Sequence, residues 1–310
     1  LYIRAGSHET HLAREKVETM LKSALLLIFF IPLTVLAQPT WQSSPPPAPE
    51  PVEVFRSTMM ANLPTATMLY KGDWHYEISH RFYPPLVDGY DSNFGLDGPA
   101  SMRMAFGYGL SDRFTVTLGR SSLMDNLDLQ IKNKIWDASS KSLSSALAVQ
   151  IGLAWNTDID HIQRYVDRNR TDSANFQYYV QLIYNARLFN DRFAFGIVPS
   201  YLHNSVIYSV ERQQTFTLGT YYQLYFDDMW GVWIEYSPTL SGYQGILEPS
   251  QTGHSHNSLS SGISIETGGH VFYFFATNNT RLNSAQYLVG APYTADPSNW
   301  RLGFAITRYL

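Results

Sequence analysis

Residues 126–134 read Asn126-Leu127-Asp128-Leu129-Gln130-Ile131-Lys132-Asn133-Lys134. Leu127, Leu129 and Ile131 alternate with Asp128, Gln130, Lys132 and Lys134, so a strand here offers one face to hydrocarbon and the other to water or a polar network. The pattern returns over 145–155, where Leu147, Val149, Ile151, Leu153 and Trp155 oppose Ala148, Gln150, Gly152 and Ala154. A soluble sandwich can contain one such strand. It does not explain many restarts in which the apolar side is aromatic and the other side polar. The reading is an all-β fold, a transmembrane antiparallel up-and-down β-barrel of about 12 strands.

Working outward, Trp74, Tyr76, Ile78 and Phe82 alternate with His75, Glu77, Ser79 and Arg81. Further strands are predicted at 103–108, 114–118, 176–184, 193–197, 216–226, 232–236, 263–265, 270–277 and 302–306. Val271 to Phe275 is apolar on both faces, which leaves its register open. Turn-forming residues punctuate 110–113, 189–192, 226–229 and 267–269, whereas long polar segments occupy 84–99, 156–174, 240–258 and 279–299. Short turns and long loops alternate in phase. That phase places both termini with the short turns, in the periplasm, and the long loops outside.

The long apolar run, Leu25 to Ala37, follows Met20 and Lys22 and ends Val35-Leu36-Ala37 ahead of Gln38. A basic start, a short apolar core and a small-residue end are the layout of a secretory signal peptide. The run is short for a membrane-spanning helix and contains Pro32. The predicted organisation is a start-site artefact over 1–19, a signal peptide over 20–37, a Pro-rich periplasmic spacer and tether over 38–69, and the barrel over 70–310. Pro45-Pro46-Pro47 cannot supply ladder donors. Val52 to Leu69 mixes apolar residues with Asn62 and Pro64 and reads as a short tether or partial plug.

Absence of cysteine excludes a lipoprotein anchor, a disulfide framework and a thiolate metal site. A net charge of −4 with a mean hydropathy of −0.19 excludes a strongly basic nucleic-acid binder and a helical membrane protein. A barrel averages to soluble-like hydropathy because alternate residues meet lipid. The 21 Tyr, 17 Phe and 7 Trp suit interfacial girdles.

At 71–82 the chain reads Lys-Gly-Asp-Trp-His-Tyr-Glu-Ile-Ser-His-Arg-Phe, followed by Asn93-Phe94-Gly95-Leu96-Asp97 and Gly119-Arg120-Ser121-Ser122. Later come Pro199-Ser200-Tyr201-Leu202-His203, Asn278, Gln286-Tyr287-Leu288-Val289-Gly290 and the terminal Leu302-Gly303-Phe304-Ala305-Ile306-Thr307-Arg308. Together these segments resemble the β-barrel family catalogued as domain of unknown function 5777, typical of Bacteroidetes-like bacteria. Tyr83 stands where that family usually has Gly, and Leu310 where it usually ends in Phe. The resemblance implies a barrel in a Gram-negative outer membrane and supplies no substrate.

Strand phase points His75, Glu77, Arg81, Arg103, Asp128, Lys132, Lys134, Arg187, Glu235, Glu266 and Arg301 into the lumen. They are expected either to line an eyelet for small polar solutes or to pair across a narrow interior and plug it. His80, Arg81, Asn93 and Asp97 form a second group, read as ordering the first long loop. A hydrolase at the rim is the third reading, but Ser79, Ser101, Ser121 and Ser122 offer no distinguished nucleophile. His254-Ser255-His256 is a weak metal signal without an adjacent acid. No catalytic residue, metal or cofactor is assigned. The expected partners are outer-membrane lipid, the barrel-assembly machinery and a small polar solute, with no nucleic acid.

Overall fold

The computed structural model describes residues 52–140, 143–189, 191–247 and 253–310. The predicted signal peptide and the Pro-rich run lie outside them. Thirteen strand segments follow in order: β1 (Trp74–Pro85), β2 (Ala100–Ser111), β3 (Phe114–Ser121), β4 (Asn126–Ser139), β5 (Leu143–Trp155), β6 (Phe176–Leu188), β7 (Phe193–His203), β8 (Gln214–Tyr225), β9 (Trp230–Ser237), β10 (Thr239–Gly242), β11 (Ser258–Thr267), β12 (His270–Thr277) and β13 (Arg301–Tyr309). Each pairs antiparallel with its neighbours. β1 pairs with β13, and β8 pairs with β9, so the sheet closes on itself. β10 continues β9 past Pro238 and also pairs with β8, so the barrel has 12 strands. Pro238 has no N–H to give, yet its carbonyl accepts from Leu218 N at 3.1 Å.

Side chains alternate as the sequence predicts. Leu118, Phe106, Ile151 and Ile263 face outward among the exposed apolar residues, with Leu118 61% exposed. Aromatic pairs lie at both margins of this surface: Trp74 with Tyr108 and Tyr76 with Phe106 near the short turns, and Trp155 stacked on Phe176 near the long loops. Two girdles around an apolar band are what a lipid bilayer selects. In β12 the ambiguity resolves: Val271, Tyr273 and Phe275 point inward and Phe272 and Phe274 outward. The inward set is apolar because it packs on chain inside the barrel rather than on water.

Pairing between β6 and β7 is interrupted between Gln181↔Ser200 and Tyr184↔Ile197. Pro199, which lacks a donor, sits in that gap. β11 starts earlier than hydropathy suggests, since Ser258, Ser260 and Ser264 face inward with Gly262 beside them and carry no apolar signal. At the turn between β8 and β9, Asp227 accepts from Trp230 N and Met229 N, which holds its carboxyl below the usual carboxylate range.

Both ends of the barrel chain meet at the turn end, where Trp74 N donates to Leu310 O at 3.1 Å. Val52–Leu69 lies inside the barrel. It is a plug rather than a periplasmic tether because Phe55, Met60 and Leu63 find an apolar counterpart in Val198, Tyr221, Trp233, Tyr273 and Phe275. A Cβ added at Gly219 would come within 2.8 Å of Leu63 Cδ1, so the wall is recessed where the plug leans on it. From the other end, the loop between β12 and β13 folds inward, and Asn278 through Gly290 are buried. Its helical turn Ser284–Tyr287 is capped by Asn283, whose side chain accepts from Gln286 N.

Candidate functional site

The eleven residues predicted to face the lumen are all buried, 9% exposed at most. Inside a closed barrel this means they point inward, and the structure sorts them by what they hold. Arg103 is paired entirely to the wall. Its Nη1 donates to Glu77 Oε1 at 2.9 Å, and its Nε and Nη2 donate to Asp128 Oδ1 and Oδ2 at 3.1 and 2.8 Å. The fork matches the carboxylate in the way that makes arginine suited to buried pairs. Gln130 and Asn283 add donors to Asp128 at 3.0 and 3.3 Å, so the inward loop is tied to the same cluster.

A second set holds the plug. Lys132 Nζ donates to the carbonyls of Thr58 and Thr65 at 2.8 and 2.9 Å. Arg81 Nη2 donates to Ala61 O and Asn62 Oδ1 at 2.9 and 2.8 Å, and its guanidinium lies 4.5 Å over the Phe275 ring. Glu235 accepts from Asn62 N, Leu63 N and Asn62 Nδ2 at 3.2, 3.1 and 2.6 Å. His75 Nδ1 is 3.2 Å from Thr58 Oγ1, and Lys134 Nζ donates to Val52 O at 3.3 Å.

The remaining members sit at the two mouths. Glu266 pairs with the plug's Arg56 at 3.1 Å, and Arg56 and Arg187 both face the Tyr225 ring, at 4.6 and 5.2 Å. Arg301 Nε donates to Tyr83 O at 3.1 Å, and its guanidinium covers the Tyr293 ring.

The loop-ordering group does not assemble. His80 and Arg81 are consecutive on a strand and therefore face opposite ways. His80 stacks on Phe304 at 4.5 Å on the outer surface, while Arg81 reaches the plug. The first loop is closed locally instead, by Leu96 N to Asn93 O and Asp97 N to Ser92 O, each 3.2 Å. Ser101 Oγ donates to Thr280 O and Ser122 Oγ accepts from Met102 N, so both hydroxyls serve the framework. His254 Nδ1 lies 3.1 Å from Gln244 O, and His256 pairs through its backbone with Ala291. Among the described residues, no three His, Cys, Asp or Glu side chains converge on a metal position.

Sequence reasoning passed over Asn185 and Tyr221. Asn185 Oδ1 accepts from Ala66 N at 2.7 Å, and Tyr221 donates to Pro64 O at 2.8 Å. Their signal was an amide and an aromatic ring on the hidden parity of strands already recognised. Between plug and wall, a cavity of about 10 Å³ lies among Thr58, His75, Glu77, Thr117, Gln130 and Lys132. A second, about 30 Å³, lies under the long loops beside Met124, Asn156 and Gln286. Each has room for only a water or two.

Residues 55–310 match a family described as a membrane bound beta barrel domain (DUF5777). No curated protein matches the chain. Among solved structures, an outer membrane channel from Pseudomonas putida F1 is 14% identical over 79% of this chain and 98% of its own, with a TM-score of 0.48. The NanC porin is 8% identical over 76% of this chain and 97% of its own, at 0.43. LpxR from Salmonella typhimurium is 8% identical over 76% and 99%, at 0.32.

Proposed function

Since the chain belongs to the membrane bound beta barrel domain family, and is thus an outer-membrane β-barrel, we propose that it is a gated passage for small polar solutes, closed at rest by its own plug. In this reading both termini and the short turns lie in the periplasm and the long loops outside. The carrying observation is the way the plug is held. Lys132, Arg81 and Glu235 grip it mainly through backbone groups, by hydrogen bonds that water or a polar solute can replace one at a time. The wall keeps its own cluster, Glu77–Arg103–Asp128, paired whether the plug is in or out. The Thr58 hydroxyl beside His75 is buried between plug and wall, away from any approaching substrate, and passage rather than catalysis is the role assigned.

A static barrel with a structural or partner-binding role is the second reading. It is favoured by the apolar contacts of the plug, above all Phe55 set edge-on to Tyr221 at 5.1 Å. Planar-bilayer recording separates the two. The chain has no cysteine, so thiols placed at Asn62 and Ser260, whose side chains bond at 3.1 Å, can be bridged by a short crosslinker. A gated passage gives brief openings that the bridge abolishes. Silence with and without the bridge leaves the static reading.

A further inference from the structure

The plug is a length of peptide, and the wall holds it chiefly by its main chain. Over Thr58–Ala66, Lys132 takes the carbonyls of Thr58 and Thr65, Arg81 that of Ala61, and Tyr221 that of Pro64. In the opposite sense, Glu235 Oε1 accepts from two consecutive amides, Asn62 N and Leu63 N, while Asn185 Oδ1 accepts from Ala66 N and Tyr309 Oη from Thr58 N at 3.0 Å. Asn62 adds side-chain bonds to Arg81, Glu235 and Ser260, and Thr58 adds one to His75. The wall groups come from seven strands, β1, β4, β6, β8, β9, β11 and β13, and surround the segment.

Backbone carbonyls and amides are common to every peptide, so such a wall recognises polypeptide as a class with little regard to side chains. Arg81 and Glu235 are fully buried and Lys132 nearly so. Withdrawal of the plug exchanges its fixed bonds to two cations and a carboxylate for confined water, which hydrates them less fully than bulk solvent does. An incoming solute makes up that shortfall if it brings carbonyl or carboxylate oxygens to the cations and adjacent N–H donors to the carboxylate. A short peptide brings both, in the spacing already present. A neutral sugar brings hydroxyls without the paired N–H groups that Glu235 holds.

We propose that the lumen is a peptide-binding site, that residues 58–66 occupy it as a built-in stand-in, and that short peptides read through their main chain are the solute class. The proposal rests on the solute-passage reading in taking the lumen as the working site. Ala66 is 1% exposed in the plug, and Ala66→Cys in the otherwise cysteine-free full-length chain gives a thiol that reports withdrawal. In liposomes, tetra-alanine is expected to speed maleimide labelling about tenfold over maltotriose at equal concentration, the factor one charge-assisted hydrogen bond supplies. Glu235→Gln in that background is expected to raise basal labelling and shrink the peptide-dependent increment. Calorimetric titration of the unsubstituted chain with the same two probes gives the answer independently of the thiol, with heat expected for tetra-alanine alone. Equal effects of the two probes, or no effect of tetra-alanine in either assay, overturn the proposal. A barrel that conducts in bilayers yet ignores tetra-alanine keeps passage and loses the peptide site. One that is silent yet labels faster with tetra-alanine keeps the peptide site and loses passage.

Discussion

Arg103 and Asp128 meet fork to fork on the inner wall, across a space that exists because residue 119 has no side chain. A Cβ at Gly119 would lie 2.5 Å from Arg103 Nη2 and 2.6 Å from Asp128 Oδ1. The pair and Glu77 are nearly inaccessible to water, and removal of the arginine strands two carboxylates in a low-dielectric interior. Arg103→Ala is therefore expected to destabilise the barrel by about 3–5 kcal/mol, read as a lower temperature for loss of the compact band on a heat-modifiability gel. In bilayers, trimming Arg103 and Arg301 together should lengthen openings. A folded double variant whose openings match those of the parent removes both from any part in the passage.

Gly219 offers a cleaner way to disturb the plug alone. Gly219→Val projects two methyl groups toward Leu63, whose Cδ1 already approaches the wall. The expected result is a folded barrel, heat-modifiable like the parent, with protease sensitivity appearing in residues 52–69. Unchanged protection of that segment means the plug can shift without leaving.

On the lipid side, Leu129 and its neighbour Gln130 test strand phase directly. Leu129→Arg places a charge in the apolar band and is expected to cost roughly 2–4 kcal/mol. Gln130→Arg instead sets a guanidinium beside Asp128 and the small cavity, with a smaller effect. Equal shifts in gel mobility reverse the assigned faces of β4.

Orientation is checked by epitopes. A tag inserted between Gly253 and His254, in the long loop after β10, should bind antibody on intact cells. A tag at Asp191, in the β6–β7 turn, should require permeabilisation. Surface labelling at Asp191 inverts the topology.

The barrel was legible because lipid imposes a period of two on every strand it touches, so Leu127, Leu129 and Ile131 announce their face without help. The plug was not. Val54, Phe55, Met59, Met60 and Leu63 follow no period, and the bonds that seat them run through backbone atoms, which leave no mark on composition. The inward loop was hidden for the opposite reason: Asn279, Asn283 and Gln286 look like solvated residues, yet each is buried and spends its amide on a partner. The grouping of His80 with Arg81 and the first loop failed because adjacency along a strand means separation across it.

The position of the plug in the chain sets a temporal order. Asn62 lies 173 residues before the Glu235 it binds, and Tyr309, which receives Thr58 N, lies 251 residues after it. Contacts this distant in sequence form late. Residues 52–69 are thus among the last to find their place, and until β13 zips to β1 their apolar side chains need shelter from somewhere other than their final partners.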